Sequence, residues 1–263
     1  MFDSHMHTPL CHHAVGAPIE YAHEAVMLGL TGICFTEHMP LPDNADAHLR
    51  LSGENLPMYC ELIQTTQSLC RDDLEVRCGL EMDFIPGIEL FSKNLLALND
   101  WDYIIGSVHR VGDLAYGVCP PAEDLENYWR AYYNLIIVAA QTGLYDSIGH
   151  LNLPVRWVNP PEHHLEMVLP ALDIIAKNNL ALDFNTSGLR GELHAPHPPL
   201  EILKAAFERN IPLVLGSDAH NPKDVGSHFS SAIRLAKQVG YTQVGAFKHR
   251  QLELYSIINT DED

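Results

Sequence analysis

Seven short apolar, β-prone runs alternate with seven longer amphipathic stretches, and that rhythm constrains the fold more than any other feature of the chain. The runs fall at 1–5, 31–36, 74–80, 103–108, 147–149, 181–185 and 212–216. Helical periodicity marks 19–28, 55–70, 88–98, 125–141, 165–178, 200–209 and 230–239 between and after them. Such repeated strand–helix units predict an α/β fold with a mostly parallel sheet, closed into a barrel or open and doubly wound. Gly29, Gly143, Asn179 and Asn210 stand where four helices should stop, the position that favours left-handed backbone. With 263 residues and no Gly/Ser linker or internal repeat, residues 1–258 are expected to form a single domain and 259–263 an acidic tail.

Chemistry gathers at the ends of those runs. His5 and His7 close the first, Glu37 and His38 follow the second, and Glu81 and Asp83 follow the third. His109 follows the fourth, His150 the fifth, Asn185 ends the sixth, and Asp218 and His220 follow the seventh. In a parallel barrel these ends share one face, so the groups should converge on one mouth. The bland alternative scatters the 16 histidines over the surface, and for any single histidine it is the better reading. It does not explain why all seven ends are marked. His5-Met6-His7 puts two imidazoles on one side of a strand, and Asp218-Ala219-His220 repeats the spacing with a carboxylate. This nitrogen and oxygen donor set without thiolate favours Zn, Mn or Fe(II).

Composition narrows the partners. Sixteen Lys+Arg against 34 Asp+Glu give −18, which excludes an electrostatic grip on nucleic acid. No apolar run reaches the roughly 18 residues of a membrane span, and the N-terminus has no basic, apolar leader. The six cysteines include no C-x-x-C pair, so a zinc ribbon or thiol redox centre is not expected. A cytoplasmic setting follows, and homo-oligomerisation stays open.

The motifs together resemble the PHP superfamily of phosphoesterases, and its histidinol-phosphatase branch in particular. The matching segments are Asp3-Ser4-His5-Met6-His7-Thr8, Cys11-His12-His13, Phe35-Thr36-Glu37-His38, Gly79-Leu80-Glu81-Met82-Asp83-Phe84 and Ile105-Gly106-Ser107-Val108-His109. Ile148-Gly149-His150-Leu151, the run from Asp183 to Arg190, and Gly216-Ser217-Asp218-Ala219-His220 complete them. The resemblance implies a distorted (β/α)7 TIM-like barrel with three divalent transition-metal ions (Zn, Fe or Mn) at the C-terminal strand ends. It implies one ion on His5, His7, Glu81 and Asp218, a second on Glu81, His109 and His150, and a third on His13, His38 and His220. His12 competes with His13, and the family spacing favours His13. Family members often carry Asp where Glu37 stands, so Glu37 is read as a partner of a ligand.

The same resemblance implies hydrolysis of a small phosphorylated metabolite, histidinol phosphate of histidine biosynthesis, by a metal-bridging hydroxide. Three ions bring about +6 and Glu81, Asp218 and hydroxide return about −3, so an acidic protein still offers a positive site. Arg190 is the expected phosphate clamp, with Arg156 and Arg110 behind it, because guanidinium meets phosphate oxygens in a fork. Glu37, Asp43 and Glu123 are candidate acceptors for the substrate amine. Asp3 and Asp83 are candidate orienting groups for ligand imidazoles. His23, His48, His163, His164, His194, His197, His228 and His249 are expected to be solvated. Rivals are a PHP enzyme for another small phosphoester or nucleotide, an amidohydrolase-like barrel, which would need a strand-end lysine, and a non-catalytic metal-binding module.

Overall fold

The computed structural model describes residues 1–114 and 117–257. Seven strand–helix units follow the chain: β1 (Phe2–Asp3), α1 (Pro18–Met27), β2 (Gly32–His38), α2 (Leu56–Cys70), β3 (Glu75–Asp83), α3 (Glu89–Leu96), β4 (Tyr103–Ser107) and α4 (Leu125–Gln141). Then come β5 (Ser147–Ile148), α5 (His164–Lys177), β6 (Ala181–Asn185), α6 (Leu200–Glu208), β7 (Leu213–Gly216) and α7 (Phe229–Val239). Sheet order equals chain order, and neighbours from β1 to β7 pair in parallel. The expected alternation is present. Gly29, Gly143, Asn179 and Asn210 all have φ between 56° and 71°, the left-handed turn out of a helix that Gly and Asn tolerate best.

Buried apolar side chains from both faces of the sheet explain why the strands read as continuous hydrophobic runs. Ile33, Phe35, Leu80, Met82, Ile104, Leu182 and Leu215 are all fully buried. The helices lay one apolar stripe each against them, as with Trp129, Tyr132, Tyr133, Ile136 and Ala140 on α4. Among the described residues no helix is long and apolar enough to cross a membrane.

Three expectations need correction. Strands β2 and β3 run through Glu37, His38, Glu81 and Asp83 instead of stopping short of them, because the ladder continues at His38↔Glu81 and Asp83↔Ser107. A further hairpin, β8 (Gln243–Lys248) and β9 (Gln251–Ser256), follows α7; β8 lies parallel to β7 and antiparallel to β9. Finally, the sheet does not close by strand pairing. The chain leaving β1 and the end of β7 nevertheless meet at the C-terminal rim through the parallel bridge Met6↔Ala219, with Ser4 N donating to Leu215 O and Asp218 N to His5 O, both at 2.8 Å.

The hairpin fills the opposite end. Phe247 stacks on Tyr103 with centroids 5.0 Å apart and packs with Cys34, Ile105, Ala181 and Val214. Buried Arg77 donates to Phe247 O, Glu75 and Glu253. Arg250 pairs with Asp146, and Asp102 accepts from His249 N. On β9, Tyr255 meets Phe2 of β1 at 5.4 Å. The hairpin is thus a floor, and the C-terminal strand ends form the rim at the other end.

Candidate metal centre

The rim is assembled around one carboxylate. Glu81 is 1% exposed and lies inside β3, an arrangement tolerable only if the charge is matched. Its Oε1 accepts from Ser107 Oγ at 2.6 Å and lies 2.8 Å from His150 Nε2 and 3.4 Å from His109 Nε2. Its Oε2 lies 2.8 Å from His38 Nδ1, 3.5 Å from His5 Nε2 and 3.6 Å from His7 Nε2. Asp218 Oδ1 closes the group at 3.7 Å from His5 Nε2 and 3.4 Å from His7 Nε2. A second knot of rings adjoins it. His13 Nε2 and His220 Nε2 are 3.0 Å apart, and the His7 ring stacks on His38 and His220 with centroids at 4.2 Å in each case.

Five of the ligand rings are aimed by a partner on the other side of the ring. His5 Nδ1 donates to Asp183 at 2.9 Å, His7 Nδ1 to Glu37 at 3.3 Å, and His109 Nδ1 to Asp83 at 2.9 Å. His13 Nδ1 donates to Cys11 O and His220 Nδ1 to Asp218 O. Such backing fixes tautomer and orientation and raises the basicity of the facing nitrogen. The fit is close enough that Gly216 cannot carry a side chain: an added Cβ would strike Asp183 Oδ1 and the His5 Cβ.

What remains unpaired tests whether this arrangement suits metal ions. His5 Nε2, His7 Nε2, His38 Nδ1 and Glu81 Oε2 are buried without a hydrogen-bond partner, which is expensive unless something else satisfies them. Donors about 2.0–2.2 Å from a cation sit about 3.0–3.6 Å from one another, the spacing the rim displays. Electrostatics agrees. Burial opposes charge on Glu81 and Asp218, yet His38 and His109 hold the Glu81 carboxyl well below the usual range, and His5 and His7 do the same for Asp218. Burial opposes protonation of His7 and His109 too, but facing carboxylates lift them to about 9 and about 10. The rim attracts positive charge. Cys11 sulfur lies near His13 and His220, but burial pushes its thiol up to about 12, and its carbonyl is what holds His13. The donor set fits divalent metal ions.

A cavity of about 570 Å³ opens over the cluster, walled by Leu49, Arg50, Leu153, Arg156, Ser187, Arg190 and the ligand candidates other than His5 and His7, which lie beneath it. Every expected ligand reaches the cluster, and His13 rather than His12 joins it, for His13 also stacks on His38. The other candidate residues divide. Arg190 lines the cavity but spends two donors on Ser217 O at 2.6 Å and Asp218 O at 2.9 Å, which pins the left-handed Asp218 (φ 55°). Arg156 lines it as well, donating to Ser187 and His197. Arg110 does not line it and pairs with Asp46 instead. Glu37 is fully buried behind His7 and Thr8, so it cannot receive a substrate amine; Asp43 and Glu123 are outside the cavity wall. Asp83 orients His109 as expected, whereas Asp3 serves backbone amides of Ser217 and Gly226.

Sequence reasoning missed Asp183 and Arg50. Asp183 is a carboxylate within a fully buried strand, a placement that already calls for a partner. Arg50, between Leu49 and Leu51, is buried and bonded to Asp83 at 3.0 Å; nothing in its neighbours announces that. His164 and His197 are buried, not solvated.

Fold and rim together define a class: α/β barrel proteins that gather divalent metal ions on histidines and carboxylates at the C-terminal strand ends. Comparison with known proteins makes this specific. The PHP domain family matches residues 3–187, and the chain belongs to that family, in its histidinol-phosphatase branch. A probable histidinol-phosphatase of Deinococcus radiodurans is 46% identical over 262 residues, covering 95% of this chain and 98% of that protein. The histidinol-phosphatase of Bacillus subtilis is 33% identical, covering 85% and 95%. Among solved structures, a histidinol phosphate phosphatase of Lactococcus lactis, complexed with zinc, L-histidinol and phosphate, superposes with TM-score 0.84 at 23% identity, covering 96% of this chain and 98% of that one.

Proposed function

We propose that this chain is a metal-dependent phosphomonoester hydrolase that converts L-histidinol phosphate and water to L-histidinol and phosphate, with residues 1–258 acting as one domain. The observation that carries the reaction class is the set of unpartnered buried donors around Glu81. The substrate rests on the relatives, both named histidinol-phosphatases, that share 46% and 33% of their residues with the chain.

Three groups of donors support three ions of Zn, Fe or Mn type: His5, His7, Glu81 and Asp218; Glu81, His109 and His150; and His13, His38 and His220. Bound divalent ions supply Lewis acidity, making water a better nucleophile near neutral pH and offsetting phosphoryl charge. Glu81, shared by two groups, fixes their relation. Asp183, Glu37 and Asp83 hold the ligand rings in register. Arg156 and Arg190 give the phosphate oxygens charged donors on the wall facing the ligands. Leu49 and Leu153 offer the carbon skeleton an apolar surface and exclude water beside it. The test is phosphate release across a panel of phosphomonoesters, with elemental analysis of the same preparation. Histidinol phosphate should be the best substrate by at least about tenfold in kcat/KM. Turnover of other esters with none of this one would keep the phosphatase and refute the substrate; metal binding with no turnover of any ester would refute both.

A further inference from the structure

One buried histidine lies beside the rim without belonging to the ligand cluster. His197 is fully buried, and its backbone is locked to the end of β6, with N and O each bonded to Asn185 at 2.8 Å. Its ring packs against Gly188, where an added Cβ would come within 3.0 Å of Nε2. Both ring nitrogens are assigned by their neighbours. Nδ1 faces the Oδ1 of buried Asn152 at 3.1 Å, and an amide oxygen only accepts, so Nδ1 carries the proton. Nε2 then holds a lone pair, and Arg156 Nε donates to it at 3.4 Å.

From Arg156 the path continues to the rim. Its Nη2 donates to Ser187 Oγ, and that hydroxyl faces Asn185 Oδ1 and, at 3.2 Å, Asp218 Oδ2. Arg156 is exposed, at the end of the short 3-10 helix Leu153–Arg156 that follows β5, so a long flexible side chain has to be aimed at the cavity. Two fixed acceptors, His197 Nε2 and Ser187 Oγ, restrict its guanidinium in two directions. We propose that His197 is a positioning residue for substrate binding, a neutral acceptor that aims the Arg156 guanidinium at the phosphate. This rests on reading Arg156 as a phosphate contact.

Asparagine and glutamine separate this role from a packing role. The Oε1 of glutamine reaches the place of Nε2 and can still accept from Arg156; the shorter asparagine cannot. His197→Asn should raise KM for histidinol phosphate, and the inhibition constant for inorganic phosphate, about tenfold, with kcat changed less than about threefold and metal content unaltered. His197→Gln should recover most of that loss. In an Arg156→Ala background His197→Asn should add less than about twofold, since the group it aims is gone. If asparagine and glutamine behave alike, or if the His197→Asn effect persists in the Arg156→Ala background, the positioning role is overturned while the Arg156 reading stands. If Arg156→Ala leaves KM and the phosphate inhibition constant unchanged, the Arg156 reading falls and takes the proposal with it.

Discussion

The two ends of the sheet bury charge in opposite ways. At the floor, Arg77 spends its guanidinium on Phe247 O, Glu75 and Glu253, while Asp102 and Asp146 accept backbone amides and Arg250. At the rim, four inward-facing ligand atoms of His5, His7, His38 and Glu81 are buried without hydrogen-bond partners. The buried charges at the floor are therefore paired with each other and with the backbone, whereas these ligand atoms at the rim are left open. Stability resides at one end and unspent binding capacity at the other, an expected division for a barrel whose C-terminal strand ends carry function.

Exchanging one charge at the rim should give the largest effect. Glu81→Gln keeps the shape but removes the charge that five imidazoles face. Turnover should fall about 10³-fold, the upper end of what losing a principal electrostatic element costs, with metal content reduced. Because His38 and His109 hold the Glu81 carboxyl well below its usual range in the folded state, removing that charge leaves buried imidazoles without their counter-charge, and the metal-free variant should melt lower than the metal-free wild type. Wild-type turnover with full metal content would end the division between the two regions.

A floor substitution should invert that pattern. Phe247→Ala empties a site stacked on Tyr103 and should destabilise the fold by about 3–4 kcal/mol. The kcat of the folded fraction should stay within about twofold, measured below the onset of melting. A large kcat loss in fully folded Phe247→Ala would mean that floor and rim are one mechanical unit.

The backing residues should lie between these extremes. Asp183→Asn retains an acceptor for His5 Nδ1 but withdraws the negative charge behind it. Metal affinity, read by competition with a chromophoric chelator, should weaken about 10–100-fold. Equal affinity would make Asp183 a packing residue and leave His5 aimed by its strand alone.

Much of the rim was legible in the sequence because strand ends in a parallel α/β fold are recognisable, and ligand types at successive ends form a pattern no surface scatter produces. The ladder's true ends were less so: Glu37 and Asp83 look like loop residues, and only the cross-strand partners show that β2 and β3 carry them. The floor was nearly invisible. A two-residue hairpin turn is normally announced by Asn-Gly or Asp-Gly, whereas here His249 and Arg250 adopt φ of 47° and 61°, with the turn held by Asp102 and Asp146. Those partners lie over a hundred residues away, so local reading has nothing to find. The two buried histidines also depend on partners outside their own elements, His197 on Asn152 and Arg156 and His164 on Tyr133.

His164 supplies the smallest and most discriminating test, because it is a buried imidazole away from the rim. Tyr133 Oη lies 2.6 Å from His164 Nε2, and the ring packs against Trp129 with centroids 4.6 Å apart. Burial lowers its pKa to about 4, against about 6.5 for an unfolded histidine. Above pH 6.5 the ring is neutral in both states and contributes no pH dependence. Between 6.5 and 4 the unfolded chain takes up a proton that the folded one refuses, so stability falls as pH falls; below 4 both states are protonated and the slope ends. After discounting for residual solvent contact, the loss across that window should be about 1–2 kcal/mol. His164→Gln offers Tyr133 an acceptor that does not titrate. Rim imidazoles titrate in the same range, but they are common to both proteins and cancel in the difference. Denaturant unfolding of chelator-treated wild type and His164→Gln at pH 7 and pH 4.5 should therefore show the wild type losing more stability, by that amount. Parallel losses would mean that His164 is protonated without penalty, and that acid sensitivity belongs to the rim alone.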